Sequence, residues 1–274
     1  METNIDSLTV PGARLRYETC GNGPLMIVIP GATGVGAGFR VTATHLARRY
    51  TVLLYDRRGF SRSELTREQN YHRRLETDAE DVRRLIEHID IGPATVFGTS
   101  SGALIALAAL ACSPRVIDTL IAFEPPAMRL LADGQRWLDF FSDLYQLYRR
   151  FGPQEALREF REVTFAESDR GAMAYAPRND ADAVYWFEHE LRQYPATELD
   201  LNSLVERADR IVPAIGRDSI GYPAASATIE LARRLTRTVL ELPGGHIGHL
   251  TRTPDFAACL LRFLLDPQAQ TRRT

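Results

Sequence analysis

The chain has 274 residues, of which 45% are hydrophobic and 25% charged, and its formal net charge is −2. This size and composition predict one large α/β domain with a substantial core, and the small net charge gives no general attraction to nucleic acid or to an anionic membrane. The apolar runs are too short to span a membrane, and the first ten residues lack the basic and apolar regions of a signal peptide. We therefore expect a cytoplasmic protein.

The three cysteines, Cys20, Cys112 and Cys259, are odd in number and widely spaced. Such spacing is typical neither of a disulfide framework nor of a metal site, so we expect reduced cysteines in the core. The expected partner is a small molecule, with no nucleic acid and no membrane. The sequence does not indicate an oligomeric state.

Runs rich in Val, Ile and Leu recur along the chain and alternate with helical patterns. The predicted strands are Leu15–Glu18, Leu25–Ile29, Thr51–Tyr55, Thr95–Phe97, Thr119–Phe123, Ile211–Ile215 and Thr238–Leu242. The predicted helices between them are Thr77–His88, Ser101–Ala111, Ala224–Arg234 and Pro254–Leu265. Because apolar strands alternate with helices, we predict a mostly parallel central sheet flanked by helices. The first strands lack a helix between them, which predicts an antiparallel lead-in.

The alternation stops between about residues 125 and 208, where the pattern is helical and rich in aromatic residues. Helices are predicted there over Gln135–Phe151, Pro153–Thr164 and Ala181–Gln193. We interpret residues 125–208 as a helical cap and residues 1–124 and 209–274 as the core domain. Most of the aromatic side chains in the cap are expected to be core packing.

A glycine-rich loop, PGATGVGAG, follows the strand Leu25–Ile29. A loop of this kind can bind the pyrophosphate of a dinucleotide, or its backbone N–H groups can surround an oxyanion. The first alternative predicts an oxidoreductase and the second an acyl-transfer enzyme. The loop by itself does not distinguish them.

The strand Thr95–Phe97 leads into Gly98-Thr99-Ser100-Ser101-Gly102, which is followed by a helix. This is a G-x-S-x-G motif between a strand and a helix, the setting in which a sharp turn lifts a nucleophilic serine clear of the sheet. The flanking glycines are needed because a Cβ would clash in so tight a turn. The motif therefore predicts that Ser100 is a nucleophile.

A serine nucleophile needs a base, and His246 is the best candidate among the six histidines. It follows the last predicted strand through Pro243-Gly244-Gly245, and the order serine then histidine is typical of hydrolases. His249 is a close competitor, but the glycine pair directly before His246 favours His246.

These features together resemble the α/β-hydrolase family over nearly the whole chain. The segment YDRRGFSRS resembles the D-x-R-G-x-G-x-S turn of that family, and LPGGHIGHLTRTPDFAACLLRFL resembles its C-terminal histidine loop and last helix. The resemblance implies that PGATGVGAG is the oxyanion loop, with the backbone N–H groups of Ala32 and Ser101 as donors. Pro30 stands where the family usually has a histidine.

The dinucleotide alternative has some support, since Asp56 ends the next strand, where a ribose-binding acid would lie. However, the loop does not follow the first strand, and Asp56 leads directly into the hydrolase-like turn. The chain also has no lysine, so the Tyr-x-x-x-Lys pair of short-chain dehydrogenases is impossible.

Two carboxylates compete to orient the histidine. Asp218 follows the penultimate strand, where the family more often has its acid, but it is one residue early in the usual G-x-x-D pattern. Glu124 ends the strand Thr119–Phe123, the alternative acid position of haloalkane dehalogenases and zearalenone lactonases. A glutamate between Phe123 and Pro125 would be costly to bury without a partner such as a histidine N–H, so we favour Glu124.

The segments ATVFGTSSGA, AFEPP and LPGGHIGHLTRTPDFA also resemble zearalenone lactonases. This resemblance implies a substrate contact by Trp186 of the cap, and we also expect Gly31 to contact the substrate. If Ala181–Gln193 is helical, Glu188 and Glu190 face elsewhere or form a polar rim. It implies a serine hydrolase for a carboxylic ester or lactone, including a hydrophobic macrolactone such as zearalenone, with no metal or organic cofactor. Alternatives are C–C bond hydrolase, lyase or perhydrolase chemistry on the same triad, or a ligand receptor with a vestigial site.

Overall fold

The computed structural model describes residues 3–174 and 180–266, and a nine-stranded sheet runs through the described chain. The strands are β1 (Thr3–Val10), β2 (Ala13–Cys20), β3 (Leu25–Ile29), β4 (Thr51–Tyr55), β5 (Glu64–Leu65), β6 (Ala94–Thr99), β7 (Ile117–Phe123), β8 (Ile211–Gly216) and β9 (Leu240–Leu242). Their order is β1-β2-β4-β3-β6-β7-β8-β9, and β5 pairs with β2.

The sheet is parallel from β4 to β9 and antiparallel where β1, β2 and β4 pair. All seven predicted strands are present, and the antiparallel lead-in is confirmed. Strand β1 was not predicted, because its first four residues are exposed at the edge of the sheet and it has no buried apolar run. A strand at an edge needs few apolar residues, because only part of it is covered.

Helices cover both faces of the sheet. They are α1 (Arg40–Leu46), α2 (Arg74–Ile89), α3 (Ser101–Cys112), α4 (Gly134–Phe151), α5 (Pro153–Thr164), α6 (Glu167–Ala174), α7 (Asp180–His189), α8 (Leu201–Val205), α9 (Pro223–Arg234), α10 (Gly248–Thr251) and α11 (Thr253–Leu265). Apolar residues of α2, α3 and α9 pack on one face, and those of α1 and α11 pack on the other. This arrangement confirms the predicted fold class.

Helices α4 to α8 lie between β7 and β8, and we call this segment the insertion. The predicted helix Ala181–Gln193 begins at Asp180 and ends at His189, after which the chain forms turns. Both α6 and α8 were missed. Tyr175, one of the aromatic residues predicted for this segment, lies outside the described residues.

A third apolar cluster joins the insertion to the carboxyl edge of the sheet. It contains Phe60 from the loop after β4, Met128 after β7, and Phe141, Trp186 and Leu191 from the insertion. The cluster seals the insertion onto the ends of the strands, where the glycine-rich loop, Ser100 and Glu124 lie.

Other expectations about the chain are met in part. All three cysteines are unpaired, but Cys112 is exposed and the other two are half-buried, so they are not core residues. No helix in residues 3–174 and 180–266 has both the length and the apolar character that a membrane span requires.

Candidate active site

Ser100 lies at a sharp turn between β6 and α3. Its backbone has φ 53° and ψ −126°, a conformation that costs energy for a residue with a side chain. A Cβ on Gly98 would lie 2.4 Å from the Gly102 carbonyl oxygen, and one on Gly102 would lie 2.2 Å from that of Ile29. The two glycines of the motif are therefore required by the close approach of backbones, as the sequence predicts.

The structure brings Glu124 and His246 together. His246 follows β9, and its Nδ1 lies 2.5 Å from Glu124 Oε2. The other carboxylate oxygen of Glu124 accepts a hydrogen bond of 2.7 Å from the Gly216 N–H. Glu124 is 1% exposed and His246 7%. A carboxylate this deeply buried needs such partners, and it is well placed to hold the imidazole in one tautomer.

The alternative candidates lie elsewhere. Asp218 is exposed and accepts a hydrogen bond of 3.1 Å from Ser168 Oγ, away from His246. His249 stacks on Phe39 at 4.0 Å between ring centroids, and its Nδ1 has no hydrogen-bond partner within the described structure. Burial, with His246 nearby, lowers the pKa of His249 to about 3. An imidazole with so low a pKa and without a carboxylate partner is poorly suited to act as the base.

The glycine-rich loop packs against Ser100. A Cβ on Gly31 would lie 2.8 Å from Ser100 Cβ, so only glycine allows this approach. The Gly34 N–H donates to the Gly31 carbonyl at 2.9 Å, which closes the loop into a tight turn. Among the described residues, neither the Ala32 N–H nor the Ser101 N–H donates to a protein acceptor. Both residues line the same cavity as Ser100, so two free donors lie beside the serine.

That cavity lies between the insertion and the sheet, and it also includes His246 and Trp186. Its wall is mainly apolar and includes Met128, Phe141, Phe160, Phe165 and Leu191. Its free volume is about 30 Å³. Among the described residues, no hydrogen bond joins Ser100 Oγ to His246. Such contacts are often long before a substrate binds.

Two carboxylates of the insertion reach the site, and the sequence reading missed both. Glu190 was expected to face elsewhere or to form a rim, but it is 1% exposed and lines the cavity. Arg57 binds both oxygens of its carboxylate. The double arginine Arg57–Arg58, one residue beyond the end of the buried strand β4, was a signal that could have found Arg57. The carboxyl ends of the parallel strands lie together at this edge of the sheet.

The second carboxylate is Asp169 of α6, which is fully buried. It accepts hydrogen bonds from the backbone N–H groups of His246, at 2.7 Å, and Ile247, at 3.4 Å. Burial raises the pKa of Asp169, and the nearby His246 partly offsets the shift. A Cβ on Gly245 would lie 2.2 Å from Asp169 Oδ2, which explains one of the two glycines before His246.

No group of His, Cys, Asp and Glu side chains within residues 3–174 and 180–266 is arranged to bind a metal ion. The site supplies a hydroxyl, an imidazole, a carboxylate and backbone N–H donors.

Comparison with known proteins identifies the family of the fold. Residues 24–207 match the sequence profile of the alpha/beta hydrolase fold family. The chain belongs to this family. It is also 32% identical over 266 residues to the uncharacterized hydrolase YraK of Bacillus subtilis strain 168, a match that covers 94% of each protein. Hydrolase activity is thereby supported.

Two solved structures extend the comparison of the fold. The enol-lactonase from Burkholderia xenovorans LB400 superposes with a TM-score of 0.71 at 19% identity, covering 95% of this chain and all of that one. A thermophilic esterase from Thermogutta terrifontis superposes with a TM-score of 0.71 at 17% identity, covering 99% of this chain and 100% of that one. At these identities the likeness shows the fold alone.

Proposed function

We propose that the protein is a serine hydrolase that cleaves a hydrophobic carboxylic ester or lactone through an acyl-enzyme. The observation that carries this proposal is the buried Glu124–His246 pair, because His246 lines one cavity with the strained Ser100 and with the residues of the two free N–H donors. This combination supplies a nucleophile, a base with its orienting acid, and an oxyanion hole.

In the proposed mechanism, Ser100 Oγ attacks the carbonyl carbon while His246 Nε2 accepts the hydroxyl proton. Glu124 accepts the Nδ1–H bond, which fixes the tautomer and stabilises the imidazolium. The N–H groups of Ala32 and Ser101 stabilise the oxyanion. His246 then protonates the leaving alkoxide oxygen, and water activated by His246 releases the acid. From a lactone, the product is a single hydroxy acid.

The wall of the cavity supports a hydrophobic, ring-bearing substrate. Apolar and aromatic side chains dominate it, and burial of a ligand's apolar surface there contributes about 25 cal/mol per Å². The segments that resemble zearalenone lactonases make that macrolactone one member of the substrate panel.

The test combines covalent labelling with turnover. A fluorophosphonate should add one adduct at Ser100, and p-nitrophenyl esters and a panel of lactones should be hydrolysed. Ser100→Ala should lower kcat by about 10⁴- to 10⁶-fold. Ser113→Ala, at the far end of α3, is the matched control and should keep full activity. Labelling at Ser101 with Ser100 untouched would contradict the mechanism, and labelling without turnover would favour a receptor.

A further inference from the structure

Arg57 makes an unusual set of contacts for a buried arginine. It is fully buried, and its Nη2 donates to the Gly31 carbonyl oxygen at 2.8 Å and to Glu190 Oε2 at 2.7 Å. Its Nη1 donates to Glu190 Oε1 at 2.9 Å and to Asp78 at 3.2 Å. Its Nε has no hydrogen-bond partner within the described structure. Four hydrogen bonds to three residues hold the guanidinium.

The contact with Gly31 determines the direction of an oxyanion donor. The carbonyl of Gly31 and the N–H of Ala32 belong to one trans peptide, so they point in opposite directions. When Arg57 holds the carbonyl oxygen on one side, the N–H must point to the other side. Gly31 lies against Ser100, and Ala32 lines the cavity.

Arg57 also holds the other end of the same turn. Its backbone N–H donates to the Gly34 carbonyl at 2.7 Å, and its guanidinium stacks 4.7 Å from the Phe60 ring. Both ends of the turn that carries Ala32 are therefore attached to one residue, which restricts rotation of the peptide between Gly31 and Ala32.

Glu190 connects this residue to the insertion. It lies in the turn after α7, and it lines the cavity while it binds Arg57 with both oxygens. Only a planar guanidinium can form this pair of parallel bonds and still donate to Gly31. A lysine would present one point charge and could not hold the three acceptors together.

From these contacts we propose that Arg57 is a positioning residue for the oxyanion hole and that Glu190 of the insertion holds it in place. The inference rests on the proposed function, since it assigns a role to a donor of that mechanism. The proposal predicts that the insertion aligns the Ala32 N–H when the insertion is packed on the sheet.

The neighbouring pair Arg58 and Asp81 provides a matched control. Its side chains are 2% and 1% exposed, and Arg58 donates to both oxygens of Asp81 at 2.7 and 2.6 Å. Its remaining bonds go to Pro11 and Gln69 instead of the glycine-rich loop. The two pairs are thus alike in burial and differ in contact with Gly31.

The experiment compares Arg57→Lys with Arg58→Lys by steady-state hydrolysis of a p-nitrophenyl ester and by the rate of fluorophosphonate labelling. Full removal of one oxyanion donor costs about 10²- to 10³-fold in kcat. Misalignment through Arg57→Lys should lower kcat and the labelling rate about 10- to 100-fold, with KM changed less than about threefold. For Arg58→Lys, kcat and the labelling rate should both stay within about threefold of the wild-type values. Equal losses in the two variants would overturn the proposal.

A second pair of variants covers the case in which Arg57→Lys does not fold. Glu190→Gln should lower kcat about three- to tenfold without a change in KM, and Asp81→Asn should not. If Glu190→Gln has the kcat of wild type, the proposal is wrong. A wild-type protein that neither hydrolyses esters nor is labelled at Ser100 would instead refute the proposed function, so the two failures are distinguishable.

Discussion

Two residues of the candidate site have a backbone conformation that side chains disfavour. Ser100 and Glu124 end the neighbouring strands β6 and β7 with φ of 53° and 49°. Each is held by a hydrogen bond to the next strand, from the Ser100 N–H to Phe123 and from the Glu124 N–H to Ala214. Such strain persists only where the surroundings fix it, and it turns both side chains out of the sheet.

The first prediction concerns the acid. Glu124→Gln should lower kcat by about 10²- to 10⁴-fold, because an amide can hold His246 in the wrong tautomer and no longer stabilises the imidazolium. The charge-matched control is Asp218→Asn, which should change kcat less than about threefold because Asp218 is exposed and bonded to Ser168. Steady-state kinetics on one ester measure both, and the reverse order of losses would move the acid to the loop after β8.

Among single residues, the sequence predicts those that stand in a recognisable local motif. Ser100 stands in a five-residue pattern, and Glu124 is exceptional because it is a charged residue at the end of an apolar strand. Glu190 could not be found in this way. It pairs with Arg57 across 133 residues of sequence, and its direction depends on α7 ending at His189. No local pattern shows where a helix ends when that end depends on a residue far away in the sequence.

The insertion contacts the loops of the candidate site through carboxylates. Asp169 accepts hydrogen bonds from the backbone N–H groups of His246 and Ile247, and Glu190 binds Arg57. Asp182 accepts a hydrogen bond of 2.7 Å from the Ser61 N–H. Each contact joins an inserted helix or turn to a loop at the carboxyl edge of the sheet. The insertion therefore supports the geometry of the site as well as covering it.

The second prediction concerns the wall of the cavity. Trp186→Ala should raise KM for a bulky lactone about tenfold, a loss of about 1.4 kcal/mol of apolar contact, and should barely change KM for p-nitrophenyl acetate. Trp137, the other tryptophan, is half-buried in α4 and does not line the cavity. Trp137→Ala is the matched control. Equal effects on both substrates would mean that Trp186 only packs the insertion.

Among the elements, the predicted strands and the long amphipathic helices are correct because their apolar spacing is set by burial. The bounds of α5 are the predicted Pro153–Thr164, where a proline begins the helix. The short α6, ESDRGAMA, has almost no apolar periodicity, and its value to the fold lies in Asp169. Periodicity cannot reveal a helix whose buried contact is a hydrogen-bonding side chain such as Asp169.

For the whole molecule, topology places the glycine-rich loop beside Ser100. The loop follows β3, which lies in the centre of the sheet beside β6, so it meets Ser100. Gly31 and Gly34 are needed for contact with Ser100 and with the Phe60 ring, while Gly38 faces open space. The alternation of strands and helices predicts the layers of the fold. The pairing of β3 with β6 joins distant parts of the sequence. The resemblance to the family implied this pairing, whereas hydrophobic periodicity does not predict it.

The third prediction concerns acid stability. The pKa of His249 is about 3 in the folded protein and about 6.5 in an unfolded chain. Between these values the unfolded state binds more protons, so this group makes the free energy of unfolding fall as pH falls below about 6.5. From pH 7 to pH 5 its contribution is a loss of about 2 kcal/mol. Asp81 opposes this trend, because burial raises its pKa to about 6, so variants must be compared with wild type at each pH.

His249→Phe isolates this contribution. Phenylalanine keeps the stacking on Phe39, and it removes a nitrogen that has no hydrogen-bond partner in the described chain. Urea unfolding at pH 7, 6 and 5 should show that the variant loses about 2 kcal/mol less than wild type over this range. His72→Phe removes an exposed imidazole and should follow wild type. If the free energy of unfolding changes with pH in the same way for His249→Phe and wild type, His249 is protonated in the folded protein. His249 would then again be a candidate for the catalytic base.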